Sequence, residues 1–234
     1  MSTRSPVKVL KPRSASRKTA GSQPNFSLEL GYDGPVCGLD EVGRGPLAGP
    51  VVAACVYIPP EMRALDFVAH IRDSKTLSST SLVQMDGMIR GHFMYGIAEV
   101  SPEVIDSMNI LQASLLAMQN AFGMIAKIGF ECALVDGNRA PALPCPTKTV
   151  IKGDSVSVSI AAASIIAKVH RDKIMAELAR DYPAYGWERN AGYPAPAHLK
   201  ALEAHGITPH HRRTFAPVRS VLERATIKNR LKSA

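Results

Sequence analysis

Acidic side chains follow two of the apolar, β-branched segments of this sequence, at the points where those segments end. Asp40 and Glu41 come directly after Val-Cys-Gly-Leu, and Asp136 follows Ala-Leu-Val. Because ligands of open α/β sheets bind at the carboxyl ends of strands, acids at two such ends can converge on one point. A fourth acid could be Asp154, after a further strand, or Asp172, inside a long helix, and the spacing leaves this choice open.

Clustered carboxylates indicate a bound cation, because acids held close together raise each other's pKa unless positive charge lies between them. Oxygen ligands favour Mg²⁺ or Mn²⁺ over softer metals. A carboxylate site with two such ions is a familiar way to activate water against a phosphodiester. The acids therefore predict metal-dependent hydrolysis of a phosphate ester.

Most of these acids also have an ordinary structural explanation. Asp136 precedes a glycine, as turn-forming aspartates do, and Asp154 precedes a serine in a predicted loop. Asp172 lies four residues after a lysine, which favours an exposed ion pair on a helix. Asp40 and Glu41 fit such explanations less well, because strand alternation points one of them to a buried face at a desolvation cost. That placement favours a functional site.

Strands and helices surround these acids in a mixed order. Short apolar, β-branched runs predict strands over residues 36–42, 51–58, 94–100, 131–137 and 147–154. Helical spacing and capping residues predict helices over residues 102–126, 157–180 and 197–205. We therefore expect an α/β fold, a sheet with helices packed on it and a helical C-terminal portion.

Positive charge is concentrated at the two ends of the chain. The 234 residues include 28 Lys and Arg against 20 Asp and Glu, a formal charge of +8. Six bases and one acid fall within residues 1–30, and five bases and one acid within residues 218–234. We expect a disordered basic arm at residues 1–30, one folded domain at residues 31–217 and a basic tail at residues 218–234. Such ends would attract a polyanion, although a solubilising role alone explains the arm equally well.

The cysteines and the hydropathy predict a cytoplasmic protein. The four cysteines include no C-x-x-C pair, so they do not have zinc-ligand spacing, and we expect them to be reduced and to act as small apolar residues. No apolar run approaches the roughly 20 residues needed to cross a bilayer, and the N-terminus lacks the apolar stretch of a secretory signal.

A glycine-rich loop follows the first two acids. Its sequence, Gly-Arg-Gly-Pro-Leu-Ala-Gly-Pro from Gly43 to Pro50, is neither a dinucleotide-binding fingerprint nor a Walker loop. Gly43 and Gly45 would let the backbone approach a ligand closely, and Arg44 could pair with phosphate or hold the acids in place. A plain tight turn is the alternative.

The segment GLDEVGRGPLAGPVVAACV closely resembles the opening signature of ribonuclease HII, the type 2 ribonuclease H family. Further matching pieces follow in order within residues 36–220, namely DSK at 73–75, NIL at 109–111, VDGN at 135–138, KGD at 152–154, ASIIAKV at 163–169, RD at 171–172, GYP at 192–194 and HHRR at 210–213. An ordered series of this length is not expected by chance.

This resemblance implies a ribonuclease H-like fold with a central mixed β-sheet. It implies a catalytic domain that acts as a metal-dependent endonuclease on the RNA of RNA/DNA hybrids and on single ribonucleotides in duplex DNA, leaving 3′-hydroxyl and 5′-phosphate ends. Two divalent ions, Mn²⁺ or Mg²⁺, are the implied cofactors. The implied partners are hybrid and ribonucleotide-containing duplexes, with no membrane, and the protein is expected to be a monomer.

The resemblance also implies the catalytic, metal-binding residues. Matched position by position, they are Asp40, Glu41, Asp136 and Asp172. On the resemblance, the fourth acid is therefore Asp172 and not Asp154.

The substrate-binding residues are implied in the same way. They are Ser74, Lys75, the loop of Gly43, Arg44 and Gly45 that would recognise the ribose 2′-hydroxyl, and Tyr193, which would pack on the neighbouring sugar. The chain departs from the family at Ala191 and Ala195, where Lys and Thr or Ser are frequent, so a phosphate contact is expected to be missing.

Two other classes of protein remain as alternatives. A metal-free RNA-binding module explains the basic ends but leaves the acids unexplained, and 6% aromatic residues are few for such a module. A metal-dependent phosphohydrolase of small molecules would need no basic ends. Cleavage of a duplex that carries one ribonucleotide separates the three classes.

Overall fold

Five strands form one mixed sheet at the centre of the protein. The computed structural model describes residues 23–232, with side chains described as far as residue 227. The strands are β1 (Val36–Val42), β2 (Val51–Tyr57), β3 (Met94–Val100), β4 (Cys132–Asp136) and β5 (Thr147–Val150). Their order across the sheet is β3-β2-β1-β4-β5. β2 is antiparallel to β1 and β3, whereas β4 is parallel to β1 and β5.

Helices cover both faces of the sheet and form the C-terminal part of the described chain. They are α1 (Ser79–His92), α2 (Pro102–Met108), α3 (Ile110–Gly123), α4 (Val158–Asp181), α5 (Trp187–Asn190), α6 (Pro196–His205) and α7 (Ala216–Lys232). Alternation along β2 divides the core: Val52, Ala54 and Val56 pack with α1 and α4, whereas Val51, Ala53 and Cys55 pack with α3. The predicted α/β architecture with a mixed sheet is confirmed.

Helix α4 lies against β1 at unusually short range. Gly38 is the reason: a Cβ at this position would overlap the backbone of Ser159 and Ile160. The first turns of α4 are rich in buried alanine, which also permits a close approach. This packing places the buried face of α4 directly beside the end of β1.

One predicted helix is divided in the structure. The helix expected over residues 102–126 breaks at Asn109, which has φ 72° and separates α2 from α3. Its Oδ1 accepts hydrogen bonds from the amides of Leu111 and Gln112, so Asn109 caps the second helix. Helices α1, α5 and α7 were not predicted, and no helix in the described chain is long and apolar enough to cross a membrane.

Residues on the far side of both predicted domain boundaries, at residues 30 and 217, make buried contacts in the structure. Glu29 is only 2% exposed, and its Oε1 accepts bonds from the hydroxyls of Ser157 and Ser159 at the start of α4. Residues 23–30 therefore belong to the folded domain, while residues 1–22 lie outside the described part. At the other end, Val218 is fully buried in the C-terminal cluster, so the fold continues into α7.

Candidate active site

Asp40 and Asp136 lie side by side at the ends of two neighbouring strands. β1 and β4 run parallel, and Leu39 is paired with Val135, so the next residue on each strand is one of the two acids. Adjacent strands are about 4.8 Å apart, and side chains at equivalent positions point to the same face. The sheet therefore brings together two acids that are far apart in the sequence.

Asp40 is buried, with 7% of its surface exposed. Its Oδ1 accepts a hydrogen bond from the Glu41 amide at 2.8 Å, and the Ser164 hydroxyl on α4 acts on the same carboxylate, opposing the rise of its pKa. Burial raises the pKa of Asp40 well above its usual range, and the charges of Glu41 and Asp136 raise it further. The raised pKa shows that the folded chain leaves this negative charge only partly compensated.

Glu41 has one carboxylate oxygen with a partner and one without. Oε1 accepts from Nη1 of Arg44 at 3.2 Å, whereas Oε2 is buried and has no hydrogen-bond partner in the described structure. Burial raises the pKa of Glu41, and Arg44 partly offsets this. A buried carboxylate oxygen without a partner is costly unless a ligand meets it.

Asp154 stands beside Asp136 because the chain folds back after β5. The Gly153 amide donates to Oδ1 of Asp136 at 2.6 Å, and Asp154 is the next residue. Burial raises the pKa of Asp136, and the Asp154 charge raises it too, while Lys75 opposes this. Asp154 is itself buried, and its Oδ2 accepts from Lys75 Nζ at 3.0 Å. The fourth acid next to the strand ends is therefore Asp154.

Asp172 lies outside this cluster in the structure. Ser164, the α4 residue whose hydroxyl acts on Asp40, precedes Asp172 by eight residues, which is about 12 Å along a helix axis and about 80° around it. Asp172 instead pairs with Lys168 at 2.7 Å and lines a shallow groove between α1 and α4. Helix geometry thus carries Asp172 away from the strand ends.

Ser74 and Lys75 lie on the same side of the cluster but differ in exposure. Ser74 is buried, and its hydroxyl is 3.1 Å from that of Ser164, so it holds the hydroxyl that acts on Asp40. Lys75 has a side chain that is 79% exposed and ends on Asp154. The pKa of Lys75 is raised by its hydrogen bond to Asp154 and by the nearby Asp73 and Asp40, although burial opposes this. Ser164 belonged to a segment matched in the sequence, but no role was predicted for it.

The glycine loop lies against Tyr193. Gly43 has φ 91°, a conformation that L residues rarely adopt, whereas a Cβ on Gly45 would lie 3.4 Å from Cε1 of Tyr193. Tyr193 is 45% exposed, and the Arg44 side chain is half exposed. The structure therefore brings together the loop and the tyrosine that were predicted to bind the same nucleotide junction.

The two alanines noted in the sequence flank Tyr193. Ala191 has φ 48°, a left-handed conformation, and Ala195 is the N-cap residue of α6 without a side-chain cap. A serine or threonine at residue 195 would supply that cap. The departure at this position therefore removes a helix cap beside the site.

The acids fit a hard divalent cation. Their donor atoms are all carboxylate oxygens, Glu41 Oε2 lacks a partner, and the pKa of Asp40 is raised by burial and by the neighbouring acids. Within residues 23–227, no three His, Cys, Asp or Glu side chains are close enough to hold an ion as they stand. An ion would therefore have to draw the carboxylates inward.

Comparison with known proteins gives the family. The family model described as Ribonuclease HII matches residues 37–218, nearly the whole folded part of the chain. The chain belongs to the ribonuclease HII family. It is accordingly a hydrolase, an endoribonuclease that degrades RNA in RNA/DNA hybrids, and this family depends on divalent metal ions.

Individual relatives agree with this assignment. The chain is 52% identical to a ribonuclease HII of Paramagnetospirillum magneticum over 83% of its own length and 96% of the relative's. It is 51% identical to that of Rhodospirillum rubrum, over 87% and 94% respectively. Among solved structures, ribonuclease H2 from Pyrococcus horikoshii OT3 superposes with a TM-score of 0.68 at 27% identity, over 81% of this chain and 98% of that one.

Proposed function

We propose that this ribonuclease HII cuts RNA/DNA hybrids and duplex DNA that contains single ribonucleotides, with Asp40, Glu41, Asp136 and Asp154 as its catalytic, metal-binding acids. The observation that carries this proposal is the pairing of β1 with β4, which places Asp40 and Asp136 next to each other. The raised pKa of Asp136, to which Asp154 contributes, supports the fourth member. In this proposal Asp154 takes the place that the resemblance implied for Asp172.

The proposed cofactors are two divalent ions, Mn²⁺ or Mg²⁺, held by these four carboxylates. Bound there, they would supply a water of lowered pKa and positive charge for the phosphate in the transition state, so the products carry 3′-hydroxyl and 5′-phosphate ends. The Glu41 amide keeps Asp40 in one orientation, and the Gly153 amide does so for Asp136. These bonds pre-organise the acids before substrate arrives.

The substrate side of the proposal concerns the residues that border the acids. The loop of Gly43, Arg44 and Gly45 would contact the ribose 2′-hydroxyl, and the exposed face of Tyr193 would pack on the adjoining sugar. Lys75, whose Nζ donates to Asp154, would contact the phosphate backbone of the substrate. Ser74, being buried, would act through Ser164 and not by touching substrate.

The decisive experiment compares three aspartates. Each of Asp136→Asn, Asp154→Asn and Asp172→Asn is assayed with Mg²⁺ and with Mn²⁺ on a duplex that carries one ribonucleotide. We expect the first two variants to lose at least about a hundredfold in turnover, because the site then has one charged ligand fewer. Asp172→Asn should stay near wild type, since it removes only an exposed ion pair.

The Asp172→Asn variant is the matched control, with the same chemical change outside the cluster. A large loss in Asp172→Asn together with normal turnover in a folded Asp154→Asn protein would reverse the assignment. The proposed function would be overturned if the wild-type chain cut neither an RNA/DNA hybrid nor a ribonucleotide-containing duplex with any divalent ion.

The remaining part of the proposal concerns the state of the protein in the cell. We propose a cytoplasmic monomer. The four cysteines, which are all free in the structure, support a reducing compartment. Sedimentation at micromolar concentration tests the monomer.

A further inference from the structure

Two arginines lie buried beneath the substrate-binding loop. Arg171 is 1% exposed and Arg212 is 0% exposed, and both are among the largest fully buried side chains. Burial lowers the pKa of Arg171 to about 10 and that of Arg212 to about 9. A buried guanidinium is costly unless its donors are satisfied, so the partners of these two side chains indicate what they do.

Their partners in the described structure are main-chain carbonyl oxygens of the loop and of the segment that carries Tyr193. Arg212 donates to the carbonyls of Gly43 at 2.6 Å, Arg44 at 3.0 Å and Gly49 at 2.9 and 3.0 Å. Arg171 donates to the carbonyls of Pro50 at 2.9 Å, Ala48 at 3.0 Å and Ala191 at 2.9 Å. The two guanidinium groups therefore hold most of the loop from below.

This arrangement leaves amides on the opposite edge of the loop without hydrogen-bond partners in the described structure. Within residues 23–227, the amides of Arg44 and Gly45 donate no hydrogen bond, while the carbonyls of Gly43 and Arg44 are turned inward to Arg212. A peptide whose carbonyl bonds a cation is polarised, which strengthens the N–H as a donor. The free amides of Arg44 and Gly45 therefore point away from Arg212, toward any ligand that binds on the outer side of the loop.

Arg171 also connects the loop to Tyr193. It bridges Ala48 of the loop and Ala191, whose left-handed φ of 48° sets the course of the chain into Tyr193. Its Nε and Cδ lie against Gly43, where a Cβ would overlap them. The loop and the tyrosine are therefore fixed relative to each other through one side chain.

We propose that Arg171 and Arg212 are positioning residues that determine how strongly the enzyme prefers ribose over deoxyribose at its cleavage site. They hold the loop with its carbonyls inward and its amides toward the sugar, so that a 2′-hydroxyl finds a preformed partner. This inference rests on the proposed function, in which residues 43–45 contact that hydroxyl. A lysine cannot replace either arginine, because one ammonium cannot span several carbonyls held by a planar fork.

The test measures affinity without divalent ions, so that no cleavage occurs, for two duplexes of one sequence with and without a single ribonucleotide. The variants are Arg212→Met, Arg212→Lys and Arg171→Lys, and thermal unfolding records whether each folds. The control is Arg90→Met, since Arg90 is partly buried and donates to a main-chain carbonyl, that of Ile166 on α4, and to no atom of the loop. Single-turnover cleavage with Mg²⁺ is measured alongside.

We expect the preference for the ribonucleotide duplex to fall by about tenfold or more in both Arg212 variants and in Arg171→Lys. Affinity for the all-DNA duplex should stay within about twofold, because the arginines do not reach substrate. Arg90→Met should lose thermal stability and keep the preference. If Arg212→Met does not fold, Arg212→Lys carries the test.

A folded Arg212→Lys protein that keeps the wild-type preference would overturn this proposal, because charge alone would then be sufficient. Equal loss of affinity on both duplexes would also overturn it, since the loop would then serve general binding. A wild-type chain without any preference would instead overturn the proposed function, and this inference with it. The three outcomes are distinguishable in the same set of measurements.

Discussion

Gly43 and Gly45 flank Arg44 in the sequence, but a side chain added at each position would contact different residues. A Cβ at Gly43 would overlap the Arg171 side chain, and the residue has φ 91°, whereas a Cβ at Gly45 would make ordinary contact with Tyr193 at 3.4 Å. The first glycine is therefore required by the fold beneath the loop. The second faces the surface on which substrate is proposed to lie.

We predict that Gly43→Ala lowers the free energy of unfolding by about 2 kcal/mol or more, because strain at positive φ adds to the overlap with Arg171. Gly45→Ala should change it by less than about 1 kcal/mol. Denaturant titration of the two variants checks this difference.

In cleavage assays, Gly45→Val should lower the rate on a ribonucleotide-containing duplex, because the larger side chain displaces Tyr193, while its thermal stability stays close to wild type. A Gly43→Ala protein as stable as wild type would contradict the structural role given to Gly43.

At the scale of elements, α4 is the scaffold of the site, and its start is held by a residue from outside the helix. Oε1 of Glu29 accepts from the amide of Ser159 at 3.2 Å as well as from the Ser157 and Ser159 hydroxyls. A carboxylate at a helix N-terminus is stabilised by the free amides and by the helix dipole. Glu29 therefore links residues 23–31 to the helix that supplies Ser164.

We predict that Glu29→Ala lowers the free energy of unfolding by about 2 kcal/mol, because it removes charge-assisted bonds at a buried helix start. Glu29→Gln, which keeps an acceptor oxygen without the charge, should fall between Glu29→Ala and wild type. Urea unfolding at neutral pH measures both.

Two truncations check the same boundary independently. Removal of residues 1–22 should leave the urea midpoint unchanged, whereas removal of residues 1–30 should lower it by at least as much as Glu29→Ala. Equal midpoints for the two truncated proteins would show that residues 23–30 do not contribute to the fold.

At the scale of the whole molecule, a buried histidine pair joins the C-terminal helices to the segment of Tyr193. His198 is hydrogen-bonded to the carbonyl of Tyr193 and receives the Trp187 indole N–H. His211 accepts the Thr208 amide on Nδ1 and lies 3.1 Å from His198 through Nε2. These partners require both rings to be neutral, with His211 carrying its proton on Nε2.

We predict that this pair makes the protein less stable in acid. Burial, together with the neighbouring His198 and His210, lowers the pKa of His211 from 6.5 to about 3. Between those two pH values the unfolded chain binds a proton that the folded chain does not, so stability falls as pH decreases, by up to about 1.4 kcal/mol per pH unit.

The measurement is the free energy of unfolding at pH 7, 6 and 5 for wild type and for His211→Asn. The variant should be less stable at pH 7 but lose less on acidification. His92→Asn, a change at an exposed ring, is the control and should follow the wild-type curve. Parallel curves for wild type and His211→Asn would contradict the prediction.

Duplex binding by the basic residues that precede the described structure would also be a property of the whole molecule. Residues 1–22 contain all six bases of the N-terminal segment and no acid. If they bind duplex, removing them should make the slope of log affinity against log salt shallower, by about 0.9 for each phosphate that they neutralise. Turnover at saturating substrate should be nearly unchanged, and an unaltered slope would indicate a solubilising or protein-binding segment instead.

The sequence by itself determined the strands that end in acids, because strand patterns are local and β-branched, alternating runs identify them. Asp40, Glu41 and Asp136 could therefore be placed at strand ends, and an ordered series of short motifs was sufficient to indicate the family. Helix α7 and the break at Asn109 were missed, because the apolar spacing of α7 is weak and a capping asparagine does not interrupt a periodic pattern.

The positions of Asp154 and Asp172 relative to the strand ends, and the arginines beneath the loop, are visible only in the tertiary structure. Asp154 reaches the cluster because the chain folds back so that the Gly153 amide bonds Asp136, whereas helix geometry alone carries Asp172 away. The Arg171 bond to Ala48 joins residues 123 positions apart. Contacts of that kind depend on how the sheet and helices pack, and no local pattern of residue types contains them.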